Sequence, residues 1–399
     1  MVTGLLFIPR FGFKSSMEIG TLLDILAGAA LLVLDPRFAR WAKAASSAVT
    51  AGLVVLYFAL YPQLDALALT YQIFRLRTVP DMGGQSLMDN LKKGRVLLFF
   101  EEDGTATVSV DQTLETGTRA LRVNGKVDAS TAGDLNTQKL VGHFPLLFHA
   151  APRKVMLVGM GSGITAYSAL RHPLERLTCV EISPAVVNAS RLFTEQNGDV
   201  ASDGRFKLII EDARTFLETT RERYDVIISE PSNPWFAGVA NLYTRELFET
   251  ARARLAPGGV MTQWVQAYEM SDETFSTILR TFMTVFPHVF LMEVSRVDTI
   301  LLGSVEPFKV DFKTLERRMA DPKVERDLRS VGVRSLMVLL GHHFVAEEDL
   351  DKVAGFGPIH TDDRPILEYQ APVHVFANRS VQIPDAEYRV ESEHHFLNR

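Results

Sequence analysis

Cysteine is almost missing from this chain: among 399 residues only Cys179 occurs. A single thiol excludes a disulfide framework and a cysteine zinc site within the chain, and its place in an apolar run reads as a buried structural thiol. The histidines show no metal-type spacing. His342-His343 and His394-His395 are adjacent pairs that read as surface or loop, so no metal is expected. Basic stretches interleaved with aromatics are lacking too, and the net charge is −6, which argues against nucleic acid as a partner. There are no repeats or low-complexity tracts. The length favours two or three units.

Long apolar runs are scarce and confined to the start. Residues 20–34 (GTLLDILAGAALLVL) and 49–61 (VTAGLVVLYFALY) are apolar on all sides, with a short basic loop between them. Each falls short of the roughly 20 residues that cross a bilayer, although flanking residues extend both. Asp24 would be costly there if unpaired. The pattern allows a buried helical hairpin of a soluble protein; the reading adopted is two membrane helices. No cleavage site of the signal-peptide kind follows. Loop charges do not set an orientation, because basic residues lie both between the runs and outside them. The abrupt apolar start fits the C-terminal part of a larger membrane protein.

What is present in strength is alternation. Residues 71–92 turn polar, with Pro80 and Gly83-Gly84, and read as a linker. Short alternating runs at 96–100, 106–110 and 120–123, with turn signals Asp103-Gly104 and Asn124-Gly125, predict a small antiparallel β unit over 93–150. Helical periodicity covers 135–148. Strands are then expected at 155–159, 177–181, 206–210, 225–229, 260–265, 289–292 and 299–302, mostly separated by helical patterns. The last two are read as an antiparallel hairpin at the sheet edge. Such alternation predicts an α/β fold with a mostly parallel sheet covered on both faces over 151–305. Residues 306–399 are more charged, with helix over the stretch DFKTLERRMADPKVERDLRS and a polar tail.

The centre of the pattern is residues 154–181, KVMLVGMGSGITAYSALRHPLERLTCVE. It has the order strand, glycine turn, helix, strand, acid. Glycines let a backbone approach a ligand closely, and a helix N-terminus presents free N–H groups. An acid about 20 residues on suits ribose hydroxyls. Four consecutive strand ends carry a glycine turn or an acid: Gly159, Gly161, Ser162 and Gly163; Glu181, followed by Ile182; Asp212 with Ala213; and Glu230 between strand and prolines. Ligands in such sheets bind beyond the carboxyl ends of the strands. Glu181 suits a ribose and Asp212 an exocyclic amine, which together describe an adenosyl pocket; no Lys follows the glycine turn to serve a phosphate. Asp212 also fits a plain helix N-cap, and Glu230 a surface loop acid. A nicotinamide dehydrogenase is disfavoured by the missing last glycine of its fingerprint.

The stretches VNGKVDAS, GHFPLLFH, GMGSG, VEIS, EDA, YDVIISEPSNP and LYTRELFE resemble the spermidine synthase family of polyamine aminopropyltransferases, most of all its membrane-fused bacterial members. The resemblance implies a class I methyltransferase-type, Rossmann-like catalytic domain behind a small N-terminal β unit. It implies transfer of an aminopropyl group from decarboxylated S-adenosylmethionine, a co-substrate and not a tightly bound cofactor, to an amine such as putrescine. By position, Gly159 to Gly163 would hold the methionine-derived arm, Glu181 with Ile182 the ribose, and Asp212 with Ala213 the adenine. Gln138 and His143 would lie beside the donor, and Glu230 falls where the family has the Asp that deprotonates the attacking amine.

The chain departs from the family pattern at four of these positions. Ser162 stands where the family has an Asp for the donor's aminopropyl ammonium, Asn233 where its loop has a second Asp, and Thr137 where a Tyr helps bind polyamine; Glu230 is one methylene longer. Asp128 and Asp134 are the acids available to compensate, with Asp128, Thr137 and Asn233 the expected amine contacts. The alternatives are an S-adenosylmethionine-dependent methyltransferase and a non-catalytic nucleoside-binding domain of a membrane protein. The expected setting is the cell inner membrane, reached through residues 1–70 as a multi-pass helical hairpin, with the catalytic domain cytoplasmic and the chain a homodimer.

Overall fold

A computed structural model describes residues 6–60, 66–70, 89, 92–345, 347–375 and 380–381. The expected linker at 71–92 and the polar tail therefore lie almost wholly outside the described residues. The two N-terminal apolar runs are parts of longer helices, α1 (Ile8–Leu34, 27 residues) and α2 (Arg40–Leu60, 21 residues). At about 1.5 Å per residue both reach the roughly 30 Å of a bilayer core. The alternative of a buried hairpin does not hold, because α2 buries none of its residues and Leu31, Leu34, Trp41 and Val55 are open to the surroundings. Gly12, at φ +77°, breaks the first turns of α1, and the freed N–H of Phe13 donates to Glu102 of the next unit at 2.8 Å.

That unit is a four-stranded antiparallel meander, β1 (Arg95–Glu102), β2 (Thr107–Thr113), β3 (Arg119–Val123) and β4 (Lys126–Ser130). The turn signal Asn124-Gly125 does not end the unit. Both residues have positive φ (49° and 84°), as a two-residue hairpin turn requires, and they return the chain into β4. β4 escapes the alternation test because its buried first residue is Lys126, paired with Asp128 at 2.7 Å.

Helix α3 (Leu135–Phe148) leads into the main sheet and is buried from Thr137 onward. The chain then alternates through β5 (Lys154–Val158), α4 (Ile164–Ala169), β6 (Arg176–Glu181), α5 (Pro184–Ser190), β7 (Phe206–Ile210), α6 (Ala213–Thr219), β8 (Tyr224–Ser229), α7 (Arg245–Ala253), β9 (Leu255–Gln266), α8 (Asp272–Val285), β10 (His288–Ser295) and β11 (Asp298–Ser304). The strand order is β12-β10-β11-β9-β8-β5-β6-β7, where β12 is His343–Val345. From β9 to β7 all neighbours are parallel, whereas β11 runs antiparallel between β9 and β10. This is the class I methyltransferase arrangement. The β10–β11 hairpin exists, but it is not at the edge: its second strand inserts inward and β12 covers its outer side.

Apolar side chains leave the sheet on both faces. Val155, Leu157, Val226 and Ile228 meet one layer, which includes α3 to α5, and Met156, Val158 and Ile227 meet the other, with α6 to α8. Cys179 is fully buried in the first layer, and burial pushes its thiol well up, as a structural role requires. Helix α3 crosses α4 so closely that a Cβ on Gly142 would come 2.6 Å from the carbonyl oxygen of Thr165 and 2.9 Å from Ser168 Cβ.

The charged stretch after residue 306 is two helices and not one, α9 (Phe312–Met319) and α10 (Pro322–Arg329), because Pro322 starts a new helix capped by Asp321. Helix α10 is tied to α3 by a buried polar network. Asp327 accepts from Lys139 Nζ at 2.6 Å, His143 Nε2 at 2.9 Å and Ser168 Oγ at 2.7 Å, and His143 Nδ1 lies 2.9 Å from His172 Nε2. The network assigns both rings as neutral, each donating through Nε2. Burial holds both histidines below their usual range, with the neighbouring ring lowering His172 further. Against its burial, the bonds from His143, Lys139 and Ser168 hold Asp327 below the usual carboxylate range.

Two outcomes follow from this packing. Gly142→Ala should overpack the α3–α4 crossing and lower stability by about 1–3 kcal/mol, read as a lower thermal midpoint; an unchanged midpoint would contradict the close crossing. Below pH ~6.5 the unfolded chain binds protons at His143 and His172 that the folded chain excludes. Stability should therefore fall by about 1–2 kcal/mol as pH drops from 7 to 5.5, and His172→Gln should remove part of that dependence in denaturation at the two pH values.

Candidate active site

The strand order reverses between β5 and β8, and the crevice at such a switch point is where open α/β sheets bind ligands. The glycine loop leaves β5 here. Gly159, Gly161 and Gly163 take φ values of 91°, 50° and 80°, which side chains would oppose. A Cβ on Gly159 would stand 3.1 Å from the carbonyl oxygen of Glu230, so the two strand tips meet backbone to backbone. Helix α4 behind the loop has only six residues, so the loop's shape contributes more than a helix terminus does.

At the tip of β6, Glu181 is nearly buried. Its Oε2 accepts the N–H of Met160 and its Oε1 the N–H of Ser183, both at 2.8 Å. Burial raises its pKa although these backbone donors oppose the rise. Each oxygen keeps a second acceptor site for a hydroxyl. Ile182 beside it is half exposed. Asp212 is exposed and caps α6, its Oδ1 accepting the N–H of Thr215 at 2.8 Å, while Ala213 is buried.

Around Glu230 the side chains interlock. Thr165 Oγ1 donates to Glu230 Oε2 at 2.5 Å and lies 3.1 Å from the carbonyl of Gln138. Ser162 Oγ donates to Gln138 Oε1 at 2.5 Å, and Gln138 Nε2 donates to Ser130 O at 3.0 Å. Desolvation pushes the Glu230 carboxyl up to about 8; the bond from Thr165 opposes this, and the nearby charges of Asp134 and Asp298 add to it. Thr137 Oγ1 donates to Asp298 Oδ2 at 2.8 Å, and Trp264 Nε1 donates to Asp298 Oδ1 at 3.1 Å.

The remaining expected contacts are partly spent elsewhere. Asp128 pairs with Lys126 at 2.7 Å and accepts from Ser232 Oγ at 2.9 Å. Asn233 is fully buried and its Nδ2 donates to the Tyr268 hydroxyl at 3.1 Å. His143 does not join the group. It lies five residues after Gln138, which turns it about 140° around the helix, and both its ring nitrogens are engaged with His172 and Asp327.

Thr165, Trp264 and Asp298 were not found from the sequence. Asp298 follows a two-residue turn and reads as part of it, and its link to Thr137 spans 161 positions.

Residues 135–310 match the family described as the spermine/spermidine synthase domain. Polyamine aminopropyltransferase 2 of Hyperthermus butylicus is 32% identical over 171 residues, 42% of this chain and 56% of that protein. Polyamine aminopropyltransferase 1 of Pseudomonas aeruginosa is 31% identical over 166 residues, 41% of this chain and 58% of that protein. The chain thus spans a little over half the length of these curated relatives. The spermidine synthase of Thermotoga maritima superposes with a TM-score of 0.47 at 18% identity, covering 59% of this chain and 88% of that one. The glycine loop and strands β5 to β11 lie within this matched segment, so the similarity to the spermine/spermidine synthase domain covers the candidate site.

Proposed function

We propose that the chain is an aminopropyltransferase that moves an aminopropyl group from decarboxylated S-adenosylmethionine to an amine such as putrescine. The observation that carries this reading is Glu230: a carboxyl without a counter-ion among the described residues, raised to about 8, at the β5–β8 switch point beside the glycine loop. An alkylammonium with a pKa near 10 has no lone pair until a base takes its proton. Glu230 is that base. The freed nitrogen attacks the donor carbon attached to sulfur, the C–S electrons return to sulfur, and the sulfonium leaves as the neutral thioether methylthioadenosine.

In this reading Glu181 with Ile182 holds the ribose and Asp212 with Ala213 the adenine. The loop from Gly159 to Gly163 carries the sulfur-bearing arm past Ser162 and Gln138. The bonds from Met160 and Ser183 fix Glu181 before any ligand arrives, so little ordering is left for the binding step. Helices α1 and α2 would cross the inner membrane, with the catalytic domain on the cytoplasmic side where the nucleoside donor is made.

Calorimetric titration of the full chain in detergent with decarboxylated S-adenosylmethionine, S-adenosylmethionine and methylthioadenosine tests the reading. The decarboxylated donor should bind most tightly, and Glu181→Ala should abolish binding of all three. Glu230→Gln should lower kcat with putrescine by about 10²- to 10⁴-fold while leaving donor affinity nearly unchanged. The wild-type kcat/KM should rise with pH through the Glu230 titration near 8. Preference for the intact donor, or no binding, overturns the proposal. Separately, the full chain should stay with the membrane pellet through an alkaline carbonate wash; release into the supernatant would contradict two spanning helices.

A further inference from the structure

Ser162 and Asn233 leave a cationic substrate without two of the acids that the family pattern leads one to expect, yet the site is not short of negative charge. Asp134 and Asp298 lie close enough to raise the cost of ionising Glu230, and Asp298 that of ionising Asp134. Their hydrogen bonds come from hydroxyls, backbone N–H groups, the Gln138 amide and the Trp264 indole, and none is paired with a Lys or Arg among the described residues. Asp298 is nearly buried.

Gln266, at the end of β9, supplies an independent sign. It stands directly opposite Asp298 in the β9–β11 register, so the two side chains leave the same sheet face as neighbours. Trp264 and Ile300, the next facing pair along, share that face with α3. Gln266 is completely buried, and neither its Oε1 nor its Nε2 has a hydrogen-bond partner. A buried carboxamide with both ends unfilled is costly, and a ligand that donates N–H bonds would fill its oxygen.

We infer that Asp298 and Gln266 form a subsite for a primary alkylammonium beside Glu230, holding one charged end of an amine substrate. Asp298 supplies the counter-charge and Gln266 Oε1 a neutral acceptor. Thr137 and Trp264 hold the Asp298 carboxylate in place by one bond to each oxygen. The inference rests on the aminopropyl-transfer reading for its substrate class, but the binding it describes needs no turnover. Two amines bring this chemistry: the diamine acceptor and the aminopropyl end of the donor.

The test is equilibrium binding of putrescine, decarboxylated S-adenosylmethionine and methylthioadenosine to the full chain in detergent, comparing wild type with Asp298→Asn and Gln266→Leu. Loss of putrescine affinity by about tenfold or more in both variants, with both nucleosides unchanged, assigns the subsite to the acceptor. A similar loss for decarboxylated S-adenosylmethionine alone, with methylthioadenosine unchanged, assigns it to the donor's ammonium. Either result supports the subsite. Changes below about twofold for both amines in either variant that keeps a wild-type unfolding midpoint overturn it, as they would if Gln266 met only buried water. Should Asp298→Asn fail to fold, Gln266→Leu decides alone. Wild-type putrescine binding without product formation would sink aminopropyl transfer and leave the subsite standing.

Discussion

The site depends on how closely a backbone loop can pass between two strand tips. On one side Gly159 lies so near the carbonyl of Glu230 that a β-carbon would crowd it; on the other, Met160 gives its N–H to Glu181. The loop is thus pinned between two acids, Glu181 and Glu230. Because the pinning uses backbone groups, it is indifferent to the side chains at Met160 and Ser162. Those side chains are engaged separately, Met160 in the core and Ser162 with Gln138.

Ser162 closes its hydroxyl on Gln138, Asn233 closes on Tyr268, and Asp128 is neutralised by Lys126, so each has a partner within the fold. The carboxyls left without cations gather around Glu230 instead. Desolvation makes Glu230 costly to ionise, and the nearby charges of Asp134 and Asp298 add to that cost. Under the proposed aminopropyl transfer, an entering cation would offset this charge, so that substrate binding and activation of the base would be two readings of the same electrostatic imbalance.

Much of the fold was legible because it rests on local signals. The glycine turn after an apolar run, the acid ending the next run and the proline-flanked Glu230 are each defined within a few residues, and each stands where a parallel strand ends. β4 was not legible because an internal ion pair replaces its apolar alternation. The inward insertion of β11 depends on pairing with β9, a contact that no local pattern encodes. His143 was placed beside the donor by its position in the family pattern, whereas the helix turns its ring onto Asp327 and His172. Asp298 and Gln266 become neighbours only through strand register.

The buried pair between Lys139 and Asp327 bears on how this protein can be divided. The family match ends at residue 310, seventeen positions before Asp327 (327 − 310). A fragment cut at that point would keep the Lys139 ammonium and lose its counter-ion Asp327, and stranding one member of a buried pair costs about 3–5 kcal/mol. Lys139 is the residue next to Gln138 on the helix that touches the glycine loop. The C-terminal helices are in this sense not an appendage to the matched segment: Asp327 supplies the counter-charge that Lys139 needs.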